Sequence, residues 1–264
     1  MITFIIHLRK DTNERHKNVD LVLNYYKKII PNSKFIFVED DNVKNFEYLS
    51  NIDSVSYVYF HNEGIYRKSY GYNLGLKESK DTIVCFLDID CIVSKSNIEQ
   101  AVDQVLKDNS ISICYNGTSV YFEYNVKNTI SDDCKNLYDY LDGFVDKNKI
   151  YTSYKCEEYE IGNTKSVGGA LLGKRETFLS IGGFNPNFVG WGYEDNEIIH
   201  RCKNMMVPMY YINTKKPLLF HLPHAELPYS DKSQHEFYKN NYEEFFKISN
   251  MPHEQLKEYI KTWK

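Results

Sequence analysis

Apolar strands alternate with amphipathic helices through the first half of the chain. Ile2 to Leu8 is a short apolar run that predicts a strand, and residues 14–30 carry apolar side chains at helical spacing until Pro31. The same alternation predicts strands over 35–38, 55–60 and 82–88, and helices over 70–79 and 96–107. This order is typical of an α/β fold, in which helices cover a mostly parallel sheet.

The second half has a weaker pattern. Residues 115–165 are polar and rich in tyrosine, and they are consistent with a strand pair and a helix near 132–146. A helix that starts at Glu194 has an apolar face of Ile198, Ile199, Cys202, Met205 and Met206. From Asp231 onward the pattern is helical, with a break at Asn250 to Pro252 before a last helix. Because no linker or internal repeat interrupts the chain, we expect one domain over 1–264.

Composition excludes several classes of protein. The net charge of -4 over 264 residues provides no basic field for nucleic acid. The apolar run Ile2 to Ile6 is followed at once by charged residues, so we expect no signal peptide and no transmembrane segment. The six cysteines lack paired metal spacing, which indicates reduced thiols in a cytoplasmic protein: Cys85, Cys91, Cys114, Cys134, Cys156 and Cys202.

Two aspartates, Asp88 and Asp90, close the buried strand over 82–88. Like charges repel and their desolvation is costly, so such a pair at a strand end needs a compensating group. A divalent cation provides it, because Mg²⁺ and Mn²⁺ take carboxylate oxygens and can hold a diphosphate as well. A solvated surface turn is the alternative, and it is the commoner explanation of an isolated pair. In parallel sheets ligands bind beyond the carboxyl ends of the strands, where His7 to Lys10 also lies.

A second group of residues follows about a hundred residues later. Gly168 and Gly169 open an apolar strand, where missing side chains allow a ligand to approach the backbone. Trp191 stands between two glycines and offers a flat ring for stacking on a sugar, although a core tryptophan has the same pattern. Glu194 and Asp195 open the next helix. The helix dipole explains acids in a first turn, and it also keeps ionised a carboxylate that acts as a general base.

In this order, Asp-x-Asp, Gly-Gly and Gly-Trp-Gly-x-Glu-Asp resemble the metal-dependent nucleotide-sugar glycosyltransferases of the GT-A fold. The resemblance is to those with a galactosyltransferase-type C-terminal segment, namely β-1,4-galactosyltransferases and bacterial chondroitin-polymerase-like enzymes. It continues in Ile5 to Arg9 and in Arg67 to Gly75, and so covers about residues 2–95 and 165–225. It implies a mixed, mostly parallel central sheet flanked by helices, with further helices at the C-terminus.

The resemblance divides the domain and assigns the metal and the base. Residues 1–115 would form a nucleotide-binding half, 116–230 an acceptor and catalytic half, and 231–264 the C-terminal helices. Asp90 would bind the metal together with a histidine, either His221 or His224, and a set of Asp and His suits Mn²⁺ better than Mg²⁺. Asp195 would be the general base and Glu194 would hold the acceptor. The resemblance implies these donor contacts: Arg9, Arg67, Asn73, Asp88, Gly169 and Trp191.

The implied reaction transfers a hexose or N-acetylhexosamine from a UDP-sugar to a hydroxyl of a glycan, with inversion, in bacterial surface polysaccharide or glycoconjugate synthesis. A glycan or lipid-linked glycan is the expected acceptor, and the expected location is the cytoplasm or the inner face of the membrane. Retaining transfer and a non-catalytic, glycan-binding relic are alternatives. A nucleotidyltransferase would need a glycine-rich phosphate loop near the N-terminus, and residues 1–20 contain no glycine. Tyr193 departs from the family pattern and leaves the sugar specificity open.

Overall fold

A computed structural model describes residues 1–10, 13–117, 119–121, 166–214, 219–222 and 232–263. The helix predicted near 132–146 and the predicted metal ligand His224 lie outside the described residues. Of the polar segment 115–165, the structure describes one short strand, Ser119–Tyr121. None of the helices in the described ranges is long and apolar enough to cross a lipid bilayer.

The first half folds as the alternation predicts, and most elements extend one to three residues beyond their predicted ends. The strands are β1 (Ile2–Leu8), β2 (Lys34–Asp41), β3 (Val55–His61), β4 (Ile83–Asp88), β5 (Cys91–Val93), β6 (Ile111–Ile113) and β7 (Ser119–Tyr121). The helices are α1 (Asn13–Ile29), α2 (Lys68–Glu78) and α3 (Lys95–Asp108), with a 3-10 turn over Glu47–Asn51. The strand at the aspartate pair therefore ends at Asp88, as predicted.

The second half contributes three strands and four helices within the described residues. The strands are β8 (Ala170–Lys174), β9 (Met209–Tyr211) and β10 (Leu219–His221). The helices are α4 (Arg175–Ser180), α5 (Glu194–Asn204), α6 (Lys232–Ser249) and α7 (His253–Ile260). The apolar face predicted for α5 is wrong at Met206, because α5 ends at Asn204. Met206 follows in a left-handed conformation (φ 58°) and is 80% exposed.

Seven strands form the main sheet in the order β3-β2-β1-β4-β8-β6-β9. Strands β1 to β4 are parallel, β8 runs antiparallel to β4 and β6, and β9 is parallel to β6. Strand β1 has β2 on one side and β4 on the other, so the chain winds away from β1 in two directions. This is the switch point at which open α/β sheets form a ligand crevice. The register pairs His7 with Asp88 across it.

A second, three-stranded sheet in the order β5-β10-β7 continues from the carboxyl end of β4. Strand β10 is antiparallel to β5, and the register pairs His221 with Cys91. The turn from β4 to β5 contains Asp90, whose carbonyl oxygen accepts a hydrogen bond from the Leu222 backbone N–H at 2.7 Å. The small sheet therefore holds the end of β4 against β10.

Helix α2 lies very close to the main sheet because two of its residues have no side chain. A Cβ at Gly75 would overlap the Ile5 side chain, and a Cβ at Gly71 would overlap the His7 ring. The two glycines are four residues apart and so face the same strand. This contact fixes the N-terminus of α2 beside the crevice.

We expect Gly75→Ala to destabilise the protein by about 1–3 kcal/mol, the usual cost of overpacking. The sign is informative, because Gly→Ala in an unobstructed helix stabilises by about 0.5–1 kcal/mol. Urea unfolding followed by circular dichroism measures the difference, and Lys77→Ala on the exposed side of α2 is the control. A stabilised Gly75→Ala protein would show that α2 does not lie this close to β1.

Candidate active site

The two aspartates after β4 have different surroundings. Asp88 is the last residue of the strand, and its backbone N–H donates to the Gly169 carbonyl at 2.9 Å. Its side chain is 28% exposed and accepts hydrogen bonds from Lys68 and from the Tyr72 hydroxyl at 2.7 Å. Asp90 is buried, and its carboxylate faces His221 instead. The pair therefore divides between two groups of residues.

Asp90, Cys91 and His221 form a compact group of potential metal ligands, with donor atoms within 4.8 Å of one another. The His221 Nε2 atom lies 3.6 Å from Asp90 Oδ1. The other ring nitrogen, Nδ1, lies 3.1 Å from the Leu222 carbonyl oxygen. A proton on Nδ1 satisfies that carbonyl and leaves the Nε2 lone pair for a metal. The donor set of carboxylate and imidazole fits a divalent cation such as Mn²⁺.

The carboxylate of Asp195 rests on the backbone of Gly168. A Cβ at Gly168 would overlap the Asp195 carboxylate, so a side chain at position 168 would displace it. The next residue, Gly169, accepts a hydrogen bond from the Asp88 backbone through its carbonyl. Asp195 therefore lies next to the segment that pairs with the end of β4. The pKa of Asp195 is raised overall. Burial and the charge of Asp88 raise it, and the charge of Lys68 opposes part of this rise. Asp195 is half-buried as a residue, and burial is the largest influence on the pKa of its carboxylate.

Lys68 is the cation at the centre of this acidic group. Its Nζ atom lies 2.9 Å from Asp88 Oδ1, and its side chain is 15% exposed. Burial lowers the pKa of Lys68, but the charges of Asp195 and Asp88 outweigh burial and raise this pKa well above its usual range. Sequence reasoning selected Arg67 and missed Lys68. The spacing holds a signal, since Lys68 and Tyr72 are one helical turn apart and both contact Asp88.

Glu194 is buried, and one of its oxygens accepts a hydrogen bond from the Gly192 backbone N–H at 2.8 Å. Burial and the charge of Asp195 raise the pKa of Glu194 to about 7. The bond connects the start of α5 to the loop that carries Trp191. Glu194 was predicted to hold the acceptor, and its contact in the structure is with this loop.

Trp191 is 66% exposed, which agrees with the predicted stacking platform rather than with a core tryptophan. Its ring stacks on Tyr238 of α6 with centroids 5.9 Å apart and planes 20° apart. Asn241 of α6 binds the same loop, because its amide donates to the Val189 carbonyl at 3.0 Å. Tyr193 packs its ring against Tyr238 and other aromatic residues of α6. Helix α6 therefore packs against the loop that carries Trp191.

The arginines predicted near the donor lie around a buried carboxylate that sequence reasoning missed. Asp40, at the end of β2, accepts a hydrogen bond from the Arg67 backbone N–H and lies 3.3 Å from His7 Nε2. Arg9 Nη1 is 4.0 Å from Asp40 and donates to the Gly64 carbonyl at 2.7 Å. Burial raises the pKa of Asp40, but the bond to His7 and the other donors lower it overall. The acidic run Glu39 to Asp41 at the end of β2 is the signal for this residue.

Arg67 stands directly before α2 with its guanidinium over the Tyr70 ring, 4.7 Å from the centroid. Its Nε atom is buried and has no hydrogen-bond partner among the described residues. This orphan donor is compatible with the predicted contact to a diphosphate or base.

Two residues that were predicted to contact the donor make contacts within the protein. The Asn73 side chain donates to the Phe184 carbonyl at 2.7 Å and accepts from the Phe184 N–H at 2.8 Å, so its amide joins α2 to a distant loop. At Gly169 the φ of 93° favours glycine, and a Cβ would lie 2.7 Å from Leu219 Cδ1 and 3.1 Å from Cys91 Sγ. At Gly168 and Gly169 protein side chains occupy the space that a Cβ would take, and the contact of Gly169 with the donor stays a prediction.

A cavity of about 720 Å³ lies at the opposite edge of the sheet, near the amino ends of β1 and β2. Its lining includes Thr3, Lys34 and Asp81, which bond one another at 2.6 Å and 3.3 Å. This cavity is remote from the acidic group, so it does not contribute to the candidate site.

The sequence model of glycosyltransferase-like family 2 matches residues 3–259, and the chain belongs to this family. No curated protein matches the sequence. Among solved structures, a mutant of Drosophila β-1,4-galactosyltransferase 7 in complex with manganese, UDP-Gal and xylobiose matches with a TM-score of 0.50 and 14% identity, over 90% of this chain and 79% of that one. The catalytic domain of the same enzyme with xylobiose matches with a TM-score of 0.48 and 16% identity, over 88% and 73%.

The family and the likeness in fold confirm the predicted class. The chain is a glycosyltransferase with a GT-A fold, in which a mixed, mostly parallel sheet carries helices on its faces. The nucleotidyltransferase alternative is thereby excluded.

The raised pKa of Glu194 predicts a pH-dependent stability. The folded protein keeps this proton up to about pH 7, whereas the unfolded chain releases it near pH 4.5. The free energy of unfolding therefore falls as the pH rises through this window. Because glutamine does not ionise, we expect Glu194→Gln to lose less stability than the wild type between pH 4.5 and about 7.

Urea unfolding at both ends of that window measures the difference, and Glu78→Gln, an exposed glutamate of α2, is the control. Equal losses in the wild type and in Glu194→Gln would contradict the buried, protonated state of Glu194.

Proposed function

We propose that the protein transfers a hexose or N-acetylhexosamine from a UDP-sugar to a hydroxyl of a glycan, with a divalent cation and with inversion of the anomeric centre. The observation that carries this proposal is the position of Asp195. Its carboxylate rests on Gly168 beside the end of β4, next to Lys68 and Asp88. The proposed base and the Lys68 cation would thus act beside the strand that leads to the proposed metal ligand Asp90.

The donor would bind at the ends of β1, β2 and β4. Asp90 and His221 would hold Mn²⁺, and the manganese and UDP-Gal in the galactosyltransferase 7 complex support this assignment by analogy of fold. Such a cation would neutralise charge on the leaving diphosphate. Asp88 would contact the ribose, and Arg9 and Arg67 would lie near the base or the diphosphate. The buried Nε of Arg67 supports its part in this set.

Asp195 is the residue that we assign as general base. Its carboxylate takes the proton of the acceptor hydroxyl while that oxygen forms a bond to the anomeric carbon. The bond from this carbon to the β-phosphate oxygen breaks, and its electron pair leaves with UDP. Lys68 supports the assignment because its charge favours the ionised form of Asp195. Glu194 is buried against Gly192, so we assign it to orienting the tryptophan loop that receives the acceptor.

The acceptor would lie against Trp191. Its exposed ring, four residues before Asp195 in the chain, and the stacked Tyr238 offer an aromatic surface, and sugar rings pack on such surfaces through their apolar faces. The xylobiose in the galactosyltransferase 7 complex is a glycan of this kind, and a glycan or lipid-linked glycan would suit this protein.

The biological setting is part of the proposal. The described cysteines Cys85, Cys91, Cys114 and Cys202 are free thiols, which suits a reducing compartment. We assign the enzyme to the cytoplasm of a bacterium, at the inner face of the membrane where surface polysaccharides are built. The alternative of a retaining transferase gives the other anomer, and NMR of the product distinguishes the two. A non-catalytic relic would release no UDP in the presence of any acceptor.

We expect Asp195→Asn to lower sugar transfer by about 10²–10⁴-fold, the contribution of a positioned general base. UDP-sugar binding should remain near that of the wild type, because the variant keeps the shape of the side chain. Release of UDP in the presence of Mn²⁺ measures transfer, and calorimetry measures binding. Asp103→Asn on the exposed surface of α3 is the matched control. Undiminished turnover by Asp195→Asn would rule out Asp195 as the base.

A further inference from the structure

The metal group contains a third donor that the proposed function does not use. We propose that Cys91 is a ligand of this centre, so that Zn²⁺ and Co²⁺ bind through its thiolate together with Asp90 and His221. The inference rests on the metal centre of the proposed function and extends it to a class of cations that a site of Asp90 and His221 alone binds more weakly.

Two of the three distances between the donor atoms fit a tetrahedral centre. Cys91 Sγ lies 3.6 Å from Asp90 Oδ1, and His221 Nε2 lies 3.6 Å from the same oxygen. All three donor atoms lie within 4.8 Å of one another. Tetrahedral zinc, with bonds of about 2.0–2.3 Å to oxygen, nitrogen and sulfur, places neighbouring donors about 3.3–3.6 Å apart. Closing the group around a metal therefore needs only small movements.

Backbone pairing brings the three side chains together. Cys91 and His221 are directly opposite in the antiparallel pair of β5 and β10. Opposite residues of such a pair direct their side chains to the same face of the sheet. The turn that carries Asp90 is bonded to β10 through its carbonyl oxygen and the Leu222 N–H. The donors are thus held by strands rather than by a loose loop.

Gly169 and Leu222 determine the surroundings of the Cys91 sulfur and the His221 imidazole. A Cβ at Gly169 would lie 3.1 Å from Cys91 Sγ, so glycine at this position gives the thiol its space. The Leu222 carbonyl lies beside His221 Nδ1, which directs Nε2 toward Asp90. Cys91 is only 2% exposed, and its sulfur lies 3.6 Å from Asp90 Oδ1 within this group.

The chemistry of sulfur decides which cations use this third ligand. Thiolates favour Zn²⁺ and Co²⁺, whereas Mg²⁺ and Mn²⁺ favour oxygen ligands. When the sulfur–metal bond forms, the S–H bond breaks and its proton passes to the solvent. The position of the Cys91 thiol thus predicts a site that binds zinc and cobalt with a donor set of nitrogen, oxygen and sulfur.

Titration of the full-length protein with Co²⁺ under reducing conditions tests the inference by absorption spectroscopy. We expect a thiolate-to-cobalt charge-transfer band in the near ultraviolet for the wild type, and its loss in Cys91→Ser. Cys114→Ser and Cys202→Ser, at buried thiols outside the group, should keep the band. Competition with a chelator should show that Cys91→Ser binds Zn²⁺ about tenfold or more weakly.

A cobalt band that persists in Cys91→Ser, or a wild type without a band, would overturn the inference. Circular dichroism checks that the variant is folded, and Cys91→Ala repeats the test with a smaller side chain. Zinc-edge X-ray absorption of the wild type needs no variant, and it should detect one sulfur at about 2.3 Å. An absent sulfur shell would also overturn the inference.

Electron paramagnetic resonance of Mn²⁺ separates this inference from the proposed function. If the wild type binds no Mn²⁺, the metal centre of the proposed function fails. If it binds Mn²⁺ but the cobalt and zinc spectra lack sulfur, only the assignment of Cys91 fails.

Discussion

The electrostatic balance around Lys68 is the interaction on which the candidate site depends. Asp88, Asp195 and Glu194 bring three carboxylates to the end of β4, and burial raises the pKa of Asp195 and of Glu194 there. Lys68 lies 2.9 Å from Asp88, and its charge opposes the rise that burial causes in the pKa of Asp195 and of Glu194. A buried group of like charges without a counter-charge would protonate or move apart. The position of Lys68 in turn depends on α2, which lies close to β1 because Gly71 and Gly75 have no side chain.

The neighbouring acids Asp88 and Asp90 contact different partners in the structure. Asp88 is engaged by Lys68 and Tyr72, whereas Asp90 turns to His221 and Cys91 on the small sheet. The candidate base, Asp195, belongs to neither pair and reaches the end of β4 across Gly168. A cation on Asp90 would therefore leave Asp195 available to a substrate.

The sequence predicts those parts of the site that strand ends determine. Apolar periodicity shows where β1 and β4 end, and parallel winding brings His7 and Asp88 to the same edge. Residues whose role depends on distant contacts were beyond such reasoning. Asn73 matches the family pattern, yet its amide bonds a loop 111 residues away. Cys91 looked like an ordinary buried thiol, because only the pairing of β5 with β10 brings it beside His221. Helical spacing marks Lys68 and the acidic run marks Asp40, but their contacts follow only from the packing of α2 against the sheet.

Binding of UDP measured by calorimetry with and without Mn²⁺ tests the central claim most directly, namely that Asp90 and His221 hold a cation for a nucleoside diphosphate at the end of β4. The account predicts that UDP binds the wild type and Asp103→Asn only when Mn²⁺ is present, and that Asp90→Asn and His221→Ala lose this binding. Equal affinity without Mn²⁺, or unchanged Mn²⁺-dependent affinity in Asp90→Asn, would contradict it.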